Sequence, residues 1–250
     1  MLDILRSWRA EKGAECLLIK GARQVGKSYI VAEFGRQDYE SFISIDFIGS
    51  PDLKQVFDGP IDADSIYRQI SLVVPGVRFV PGRTLLFLDE IQECPRARAA
   101  LKYLALDGRC DVVASGSLLG IRFKEEAALA SIPVGYEREV EMGPLDFEEY
   151  LWARGYGEDD IANLREYYES LMPVPVAVNQ KMMQMLREYL AVGGMPAVVD
   201  AFARTDSFSV AFDEQSRLLA SYLDDVARCA QAPELSLIHI SEPTRLRCIS

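Results

Sequence analysis

An eight-residue segment near the amino terminus, GARQVGKS at positions 21–28, limits the fold more than any other stretch of the chain. The six residues before it, ECLLIK, form a short apolar run that predicts a strand ending at Gly21, and a helix is predicted over Lys27–Phe34. The segment fits the pattern G-x-x-x-x-G-K-[ST], in which glycines let the backbone wrap closely around a phosphate chain. The helix that follows directs its positive end at the same anion.

This pattern predicts a phosphate-binding loop. Its residues are Gly21, Ala22, Arg23, Gln24, Val25, Gly26, Lys27 and Ser28. In such a loop the Lys27 ammonium reaches the β- and γ-phosphates, and the Ser28 hydroxyl is a ligand of Mg²⁺.

A second acidic motif follows a buried strand some sixty residues downstream. The apolar run over Thr84–Leu88 predicts a strand buried on both faces, and it ends in Asp89 and Glu90. Asp89 is predicted to hold Mg²⁺, often through water, because carboxylate oxygens suit this ion. Glu90 is predicted to orient and deprotonate an attacking water. The alternative is a plain strand end with acidic loop residues, and the upstream phosphate loop favours the catalytic interpretation.

A third polar segment, Ser115-Gly116-Ser117, follows a predicted strand over Asp111–Ala114. It should lie at the same sheet edge as Gly21 and Asp89. A hydroxyl there would hydrogen-bond the γ-phosphate or the attacking water. A simple strand-to-loop turn explains the same residues, and both interpretations stay open at this point.

The alternation of strands and helices up to Gly143 predicts an α/β fold with a parallel sheet and helices on both faces. Beyond it the pattern is helical, and residues 144–232 hold 7 basic and 15 acidic residues. We therefore expect a core domain over residues 1–143 and a smaller helical domain over 144–232. Five helices are predicted there, over Asp146–Ala153, Asp159–Leu171, Val178–Leu190, Pro196–Ala203 and Phe208–Arg228.

The last 18 residues, 233–250, do not continue this helical pattern. The string SLIHISEPTR within them resembles the translation of a sequencing adapter. The segment is therefore expected to be a non-native tail, with the natural protein continuing past about residue 232. The alternative is a natural terminal strand and loop.

Composition excludes several classes of protein. A formal net charge of −11 argues against a protein that coats nucleic acid through bulk charge. No apolar run approaches the length of a membrane span, and the charged amino terminus has no apolar core of signal-peptide length, so a cytoplasmic protein with no membrane partner is predicted. Five cysteines without C-x-x-C spacing, and a single histidine, disfavour a zinc site or a disulfide framework.

Together these motifs resemble the P-loop ATPases that carry an extra strand between the two phosphate-site motifs, and within them the AAA+ proteins. Over about residues 1–230 the chain is more specifically similar to bacterial and archaeal AAA-family ATP-binding proteins with a nuclease-like C-terminal domain of unknown function. The segments that carry this resemblance are GARQVGKS, LLFLDEIQ, ASGSLLG, SIPVGYEREVEMGPLDFEEYL and YLAVGGMPAVVDAF. PLDF at 144–147 and VGGMP at 192–196 are more specific to that group than the first two motifs.

The resemblance implies Mg²⁺-dependent hydrolysis of ATP that moves a helical lid, formed after Gly143, and an attached C-terminal domain. Lys27 and Ser28 would bind phosphate and magnesium, Asp89 would support magnesium, Glu90 would be the catalytic base, and Ser117 matches a polar sensor position. The C-terminal domain itself is not recognised in this chain. Preference for ATP over GTP, self-association, and a nucleic-acid or protein partner of the missing domain stay open.

No arginine can be assigned as an arginine finger from the sequence. The candidates are Arg83, Arg96, Arg98, Arg122 and Arg138.

Two other functions are compatible with a phosphate loop. One is a nucleotide-gated switch with little or no hydrolysis, against which Glu90 argues, since a pure switch needs no base there. The other is a small-molecule phosphotransferase. Such kinases typically lack the paired Asp-Glu and use an arginine-rich lid, whereas residues 144–232 are acidic.

Overall fold

The structure is a computed structural model that describes residues 1–11, 13–117 and 135–230. Contacts divide the chain into two compact units, one from Met1 to Pro144 and one from Leu145 onward. The first unit contains the sheet and the second is helical. The domain limits predicted at residues 143 and 232 stay predictions, and the predicted tail at 233–250 lies outside the described residues.

The first unit alternates strands with helices, as the sequence predicts. Its elements are α1 (Leu2–Glu11), β1 (Cys16–Gly21), α2 (Lys27–Asp38), β2 (Ser41–Asp46), α3 (Ala63–Val73), β3 (Thr84–Asp89), α4 (Pro95–Asp107), β4 (Asp111–Ser117) and β5 (Glu137–Glu141). Two short 3-10 helices, Pro51–Phe57 and Ile91–Glu93, connect some of them.

Within the described residues, the strands form one five-stranded sheet in the order β2-β3-β4-β1-β5. Every neighbouring pair is parallel. The carboxyl ends of all strands therefore lie at one edge of the sheet, and β1 and β3 end on either side of β4. In open parallel sheets, ligands bind in the crevice at such an edge.

The sheet is buried on both faces, because alternate residues of each strand point to opposite sides. On one face Leu18 and Leu86 belong to the core that includes α3 and α4 residues such as Ile66 and Leu101. On the other face Leu17 and Phe87 pack with α1 and α2. The predicted α/β class, with helices on both faces of a parallel sheet, is confirmed.

Two strand assignments correct the sequence prediction. Ser115, Gly116 and Ser117 continue β4 and do not form a strand-to-loop turn. β5 was not predicted, because its sequence EREVE is mostly charged. Charged side chains are common on the edge strand of a sheet, where they deter pairing with another chain. The first residue of β5, Glu137, is instead largely buried and accepts from Arg98 of α4 over 2.9 Å.

The second unit is helical, as predicted, with helix limits that differ from the predicted ones by a few residues. Its helices are α5 (Phe147–Ala153), α6 (Glu158–Glu169), α7 (Val176–Val192), α8 (Pro196–Thr205) and α9 (Phe208–Ala230). Asp146 caps α5 by accepting from the Glu149 N–H, and the Glu149 carboxylate accepts from the Asp146 N–H. This capping box fixes where the helix begins.

Within the second unit, Leu145 of the PLDF segment contacts Gly194 of the VGGMP segment. Leu145 N–H donates to the Gly194 carbonyl over 2.7 Å, and the Tyr189 hydroxyl donates to the Leu145 carbonyl over 2.9 Å. A Cβ on Gly194 would lie 2.1 Å from the Leu145 oxygen. The close approach of the two backbones therefore requires glycine at position 194.

No helix among the described residues combines the length and the apolar character that crossing a membrane requires.

Candidate functional site

The predicted phosphate loop lies where β1 ends and α2 begins. Gly21 is the last residue of β1, and Lys27 and Ser28 are the first two residues of α2. Between them, Gln24 and Gly26 have left-handed backbone conformations, with φ of 63° and 96°. Successive turns of this kind form a concave backbone segment whose N–H groups bind anions.

The two glycines of the motif are required for different reasons. Gly26 has a φ of 96°, a backbone conformation that residues with a Cβ rarely adopt. Gly21 has no such φ, but a Cβ there would lie 2.3 Å from the carbonyl oxygen of Met142, the residue after β5. The first glycine therefore lets the chain that follows β5 approach the loop, and the second lets the loop turn into α2.

The amino terminus of α2 carries no side-chain cap. The residue at the N-cap position is Gly26, which has no side chain that could accept from the first N–H groups of the helix. The first N–H groups of a helix lack partners within the helix, and they carry the positive end of its dipole. They are therefore able to bind an anion in the loop.

The Lys27 side chain is folded back onto the loop. Its ammonium donates to the carbonyl oxygens of Gly21, over 3.1 Å, and Ala22, over 2.8 Å, and the residue is only 4% exposed. Burial lowers the pKa of Lys27 below its usual value, while the carboxylates of Glu90 and Asp89 act in the opposite direction. The Lys27 ammonium is thus held by neutral carbonyl oxygens. A charged phosphate oxygen would be a stronger acceptor for it.

Asp89 is the centre of a small hydrogen-bond network. Its Oδ2 accepts from the Ser28 hydroxyl over 2.5 Å, and its Oδ1 accepts from the Ser115 hydroxyl. Asp89 is 7% exposed and Ser115 is fully buried. The network joins α2, β3 and β4, and it places the Ser28 and Asp89 oxygens together.

Glu90 follows directly and has a left-handed backbone, with φ 54° and ψ 47°. Its N–H donates to Asp89 Oδ1 over 3.1 Å, and its Oε2 accepts from the side-chain amide of Gln92. Non-glycine residues in this conformation are strained and cluster at functional sites. Two adjacent carboxylates are therefore held in different surroundings, Asp89 by hydroxyls and Glu90 by an amide.

The structure places Ser117 at the end of β4, paired in register with Gly21 of β1 and 7% exposed. The serine that contacts Asp89 is Ser115, which belongs to the predicted polar segment 115–117 but was given no role of its own, since the sensor role was assigned to Ser117. Gln92 was also missed. The spacing i, i+2 along a strand places Ser115 and Ser117 on one face, and this is the signal that could have identified Ser115.

Of the five arginine candidates, four belong to the described residues and each has a partner, whereas Arg122 lies outside them. Arg83 pairs with Glu40, Arg96 donates to the carbonyls of Phe57 and Gly59, Arg98 pairs with Glu137, and Arg138 pairs with Glu11.

These residues fit a magnesium-bound nucleoside triphosphate. The hydroxyl of Ser28 and the carboxylate of Asp89 are the hard oxygen donors that Mg²⁺ prefers. The uncapped helix, the left-handed loop and the Lys27 ammonium provide donors for phosphate oxygens. The set is too small to enclose an ion by itself, which is usual for Mg²⁺ held partly by phosphates.

Comparison with known protein families gives a match that covers most of the first unit. A family model described as an AAA domain matches residues 14–151, more than half of the chain. Two structures of the Aeropyrum pernix ORC2 protein are similar in part. The ADPNP-ADP complexes are 16% identical, with a TM-score of 0.37, and the match covers 60% of this chain and 48% of that one. The ADP form is 15% identical, with a TM-score of 0.39, and the match covers 67% of this chain and 51% of that one.

The chain thus spans about half the length of the solved structures that it matches. No curated protein matches it.

Proposed function

The chain belongs to the AAA domain family, and on that premise we propose that it binds ATP with Mg²⁺ and hydrolyses it. The observation that carries the proposal is the contact between Ser28 and Asp89, 2.5 Å from hydroxyl to carboxylate. It joins the loop that follows β1 to the acidic end of β3, the two places at which the sequence predicts phosphate and metal binding.

In this proposal the loop and Lys27 bind the phosphates. Lys27 exchanges its two carbonyl partners, Gly21 and Ala22, for phosphate oxygens, and its charge becomes better compensated. Ala22, Arg23, Gln24 and Val25 contribute backbone N–H groups, and Val25, 1% exposed, anchors the loop in the core. Positioning and charge stabilisation supply most of the catalysis in phosphoryl transfer.

Ser28 and Asp89 would hold the magnesium ion, with phosphate oxygens and water completing its coordination. When bound, the ion neutralises charge that develops on the phosphate oxygens. Ser115 keeps the Asp89 carboxylate in place from the side of β4. Ser117 is proposed to contact the γ-phosphate or the attacking water, since it ends β4 beside Gly21.

Glu90 is proposed as the general base. It follows Asp89 in the chain, so that one residue serves the metal and the next takes a proton from the attacking water. Its left-handed backbone and its amide partner hold the carboxylate in place, and the carboxylate interacts electrostatically with the Lys27 ammonium. These features favour an enzyme over a nucleotide switch without hydrolysis.

Several finer parts of the proposal concern residues and domains beyond this site. Movement of the helical unit during the ATP cycle, a nuclease-like C-terminal domain with a nucleic-acid or protein partner, and self-association are proposed from the family resemblance alone. The non-native tail and the cytoplasmic location also stay predictions from sequence.

Replacement of Lys27 by alanine tests the site. Lys27→Ala removes the one side-chain ammonium of the loop, and alanine is well tolerated in a helix, so the fold should persist while ATP affinity is lost. Equilibrium binding of a fluorescent ATP analogue measures this, and Lys102→Ala, at an exposed lysine of α4, is the control. Unchanged affinity in a folded Lys27→Ala variant contradicts the proposed site.

A further inference from the structure

We propose that Gln92 is a positioning residue for Glu90, whose carboxylate it holds in the orientation needed to act as the base. This inference rests on the proposed function, in which Glu90 activates the attacking water. It adds a residue that has no place in the phosphate loop, in the magnesium site or at the sensor position.

The contact itself is direct. The Gln92 side-chain nitrogen donates to Glu90 Oε2. Gln92 is the central residue of the 3-10 helix Ile91–Glu93, which packs against β4 and α4, and it is only 5% exposed. A side chain that is nearly enclosed by a packed core has little freedom to move, so it provides a fixed anchor for the more exposed carboxylate.

The two polar atoms of the Gln92 amide differ in their surroundings. The nitrogen donates to Glu90, whereas Oε1 is buried and has no hydrogen-bond partner among the described residues. A buried acceptor without a partner destabilises a fold, and an apolar side chain of similar length would avoid that cost. Packing therefore does not account for an amide at this position, whereas the hydrogen bond to Glu90 does.

Glu90 needs such an anchor. Its backbone is fixed by the left-handed conformation and by the bond from its N–H to Asp89 Oδ1, but these contacts leave the side-chain torsions free. A base is effective only when it is held in line with the proton that it removes, and small misplacements slow a reaction strongly. The amide of Gln92 restricts the carboxylate to one region.

A double-mutant cycle tests the proposal on the full chain. The variants are Gln92→Met, Glu90→Gln and the two combined, and the measurement is single-turnover release of phosphate from Mg²⁺-ATP. We expect Gln92→Met to slow release by roughly ten- to a hundredfold, with ATP affinity within about twofold of the parent. In the Glu90→Gln background the same change should have almost no further effect, since no carboxylate is left to position.

Thermal unfolding gives a second measurement, which distinguishes a positioning role of Gln92 from a role in the stability of the fold. Gln92→Met removes the unpaired buried acceptor, so its melting temperature should equal or exceed that of the parent. Gln69→Met, at a half-buried glutamine of α3, controls for loss of an amide as such and should leave the release rate unchanged. Gln92→Leu serves as a second apolar variant if Gln92→Met does not fold.

The outcomes separate this inference from the function on which it rests. A parent without hydrolysis, or a Glu90→Gln variant as fast as the parent, overturns both. If Glu90→Gln is slow, the inference alone is overturned by any of four results: an unchanged or faster rate in Gln92→Met, equal effects of that change in both backgrounds, a lowered melting temperature with a parallel loss of ATP affinity, or failure of both apolar variants to fold.

Discussion

The Ser28 hydroxyl donates to Asp89 Oδ2 over 2.5 Å and links two residues that are 61 positions apart in the chain. The bond connects the first turn of α2 with the last residue of β3. It places a hydroxyl and a carboxylate side by side at the carboxyl edge of the sheet, and neither element could provide this pair alone.

Asp89→Asn should remove the benefit that Mg²⁺ brings to ATP binding. The amide keeps the shape of the side chain and can still accept one hydrogen bond, but the charge that favours the ion is lost. A charged hydrogen bond contributes about 1.5–3 kcal/mol, so the affinity in Mg²⁺ should fall roughly ten- to a hundredfold. Titration of ATP with and without Mg²⁺ measures the difference.

Asp46→Asn is the matched control, because Asp46 ends the neighbouring strand β2 and pairs in register with Asp89, yet its Oδ1 accepts from the Ile48 N–H. It should retain the full effect of Mg²⁺. An Asp89→Asn variant that retains the effect as well would remove Asp89 from the metal site.

As the pH rises, ATP affinity should begin to fall at a lower pH than it would if Lys27 had the pKa of an ordinary exposed lysine. Burial lowers the pKa of Lys27 in the free protein, so its ammonium loses a proton at a lower pH than an exposed lysine does. Phosphate stabilises the charged form, so binding takes up a proton within that pH range. Calorimetric titration of ATP from pH 7 to 10, in buffers of different ionisation enthalpy, detects the uptake. The absence of proton uptake throughout this range would be inconsistent with the buried ammonium.

Gly194→Ala should destabilise the helical unit. The added Cβ would lie 2.1 Å from the Leu145 carbonyl oxygen, and the bond from Leu145 N–H to the Gly194 carbonyl would be strained or lost. Overpacking of this kind costs roughly 1–3 kcal/mol in the free energy of unfolding. Denaturant unfolding followed by circular dichroism measures the loss.

The control for that change is Gly157→Ala, which lies in the same unit with a φ of −90° and meets nothing closer than 3.8 Å. It should cost at most about 1 kcal/mol, the usual effect of a change at a helix N-cap. Equal losses in the two variants would show that the contact between positions 145 and 194 is not specific.

Sequence predicted the parts of the site that are local in the chain. GARQVGKS lies between a strand and a helix, and Asp89 and Glu90 end an apolar strand, so their placement follows from alternation and from the parallel sheet. The contacts between distant elements could not be predicted in the same way. Ser115 meets Asp89 only because of the register between β3 and β4, and the sequence around it was also compatible with a strand-to-loop turn.

Other misses have physical causes of a similar kind. Gln92 lies in an acidic segment, Asp89-Glu90-Ile91-Gln92-Glu93, and looks like a solvated loop residue, yet the 3-10 helix buries it. The left-handed backbone of Glu90 leaves no mark in the sequence, because such strain is imposed by tertiary contacts. β5 was missed because its pairing with β1 depends on partners from other elements and its own residues are mostly charged.

The most direct test of ATP hydrolysis at this site is single-turnover phosphate release from Mg²⁺-ATP by the parent and by Glu90→Gln. The glutamine keeps the size and shape of the side chain but cannot take a proton. We expect both proteins to bind ATP with similar affinity, and release in Glu90→Gln to be slower by about a hundredfold to ten-thousandfold, the usual contribution of a general base. Release by Glu90→Gln at the parent rate, from a folded protein with ATP bound, would contradict this expectation.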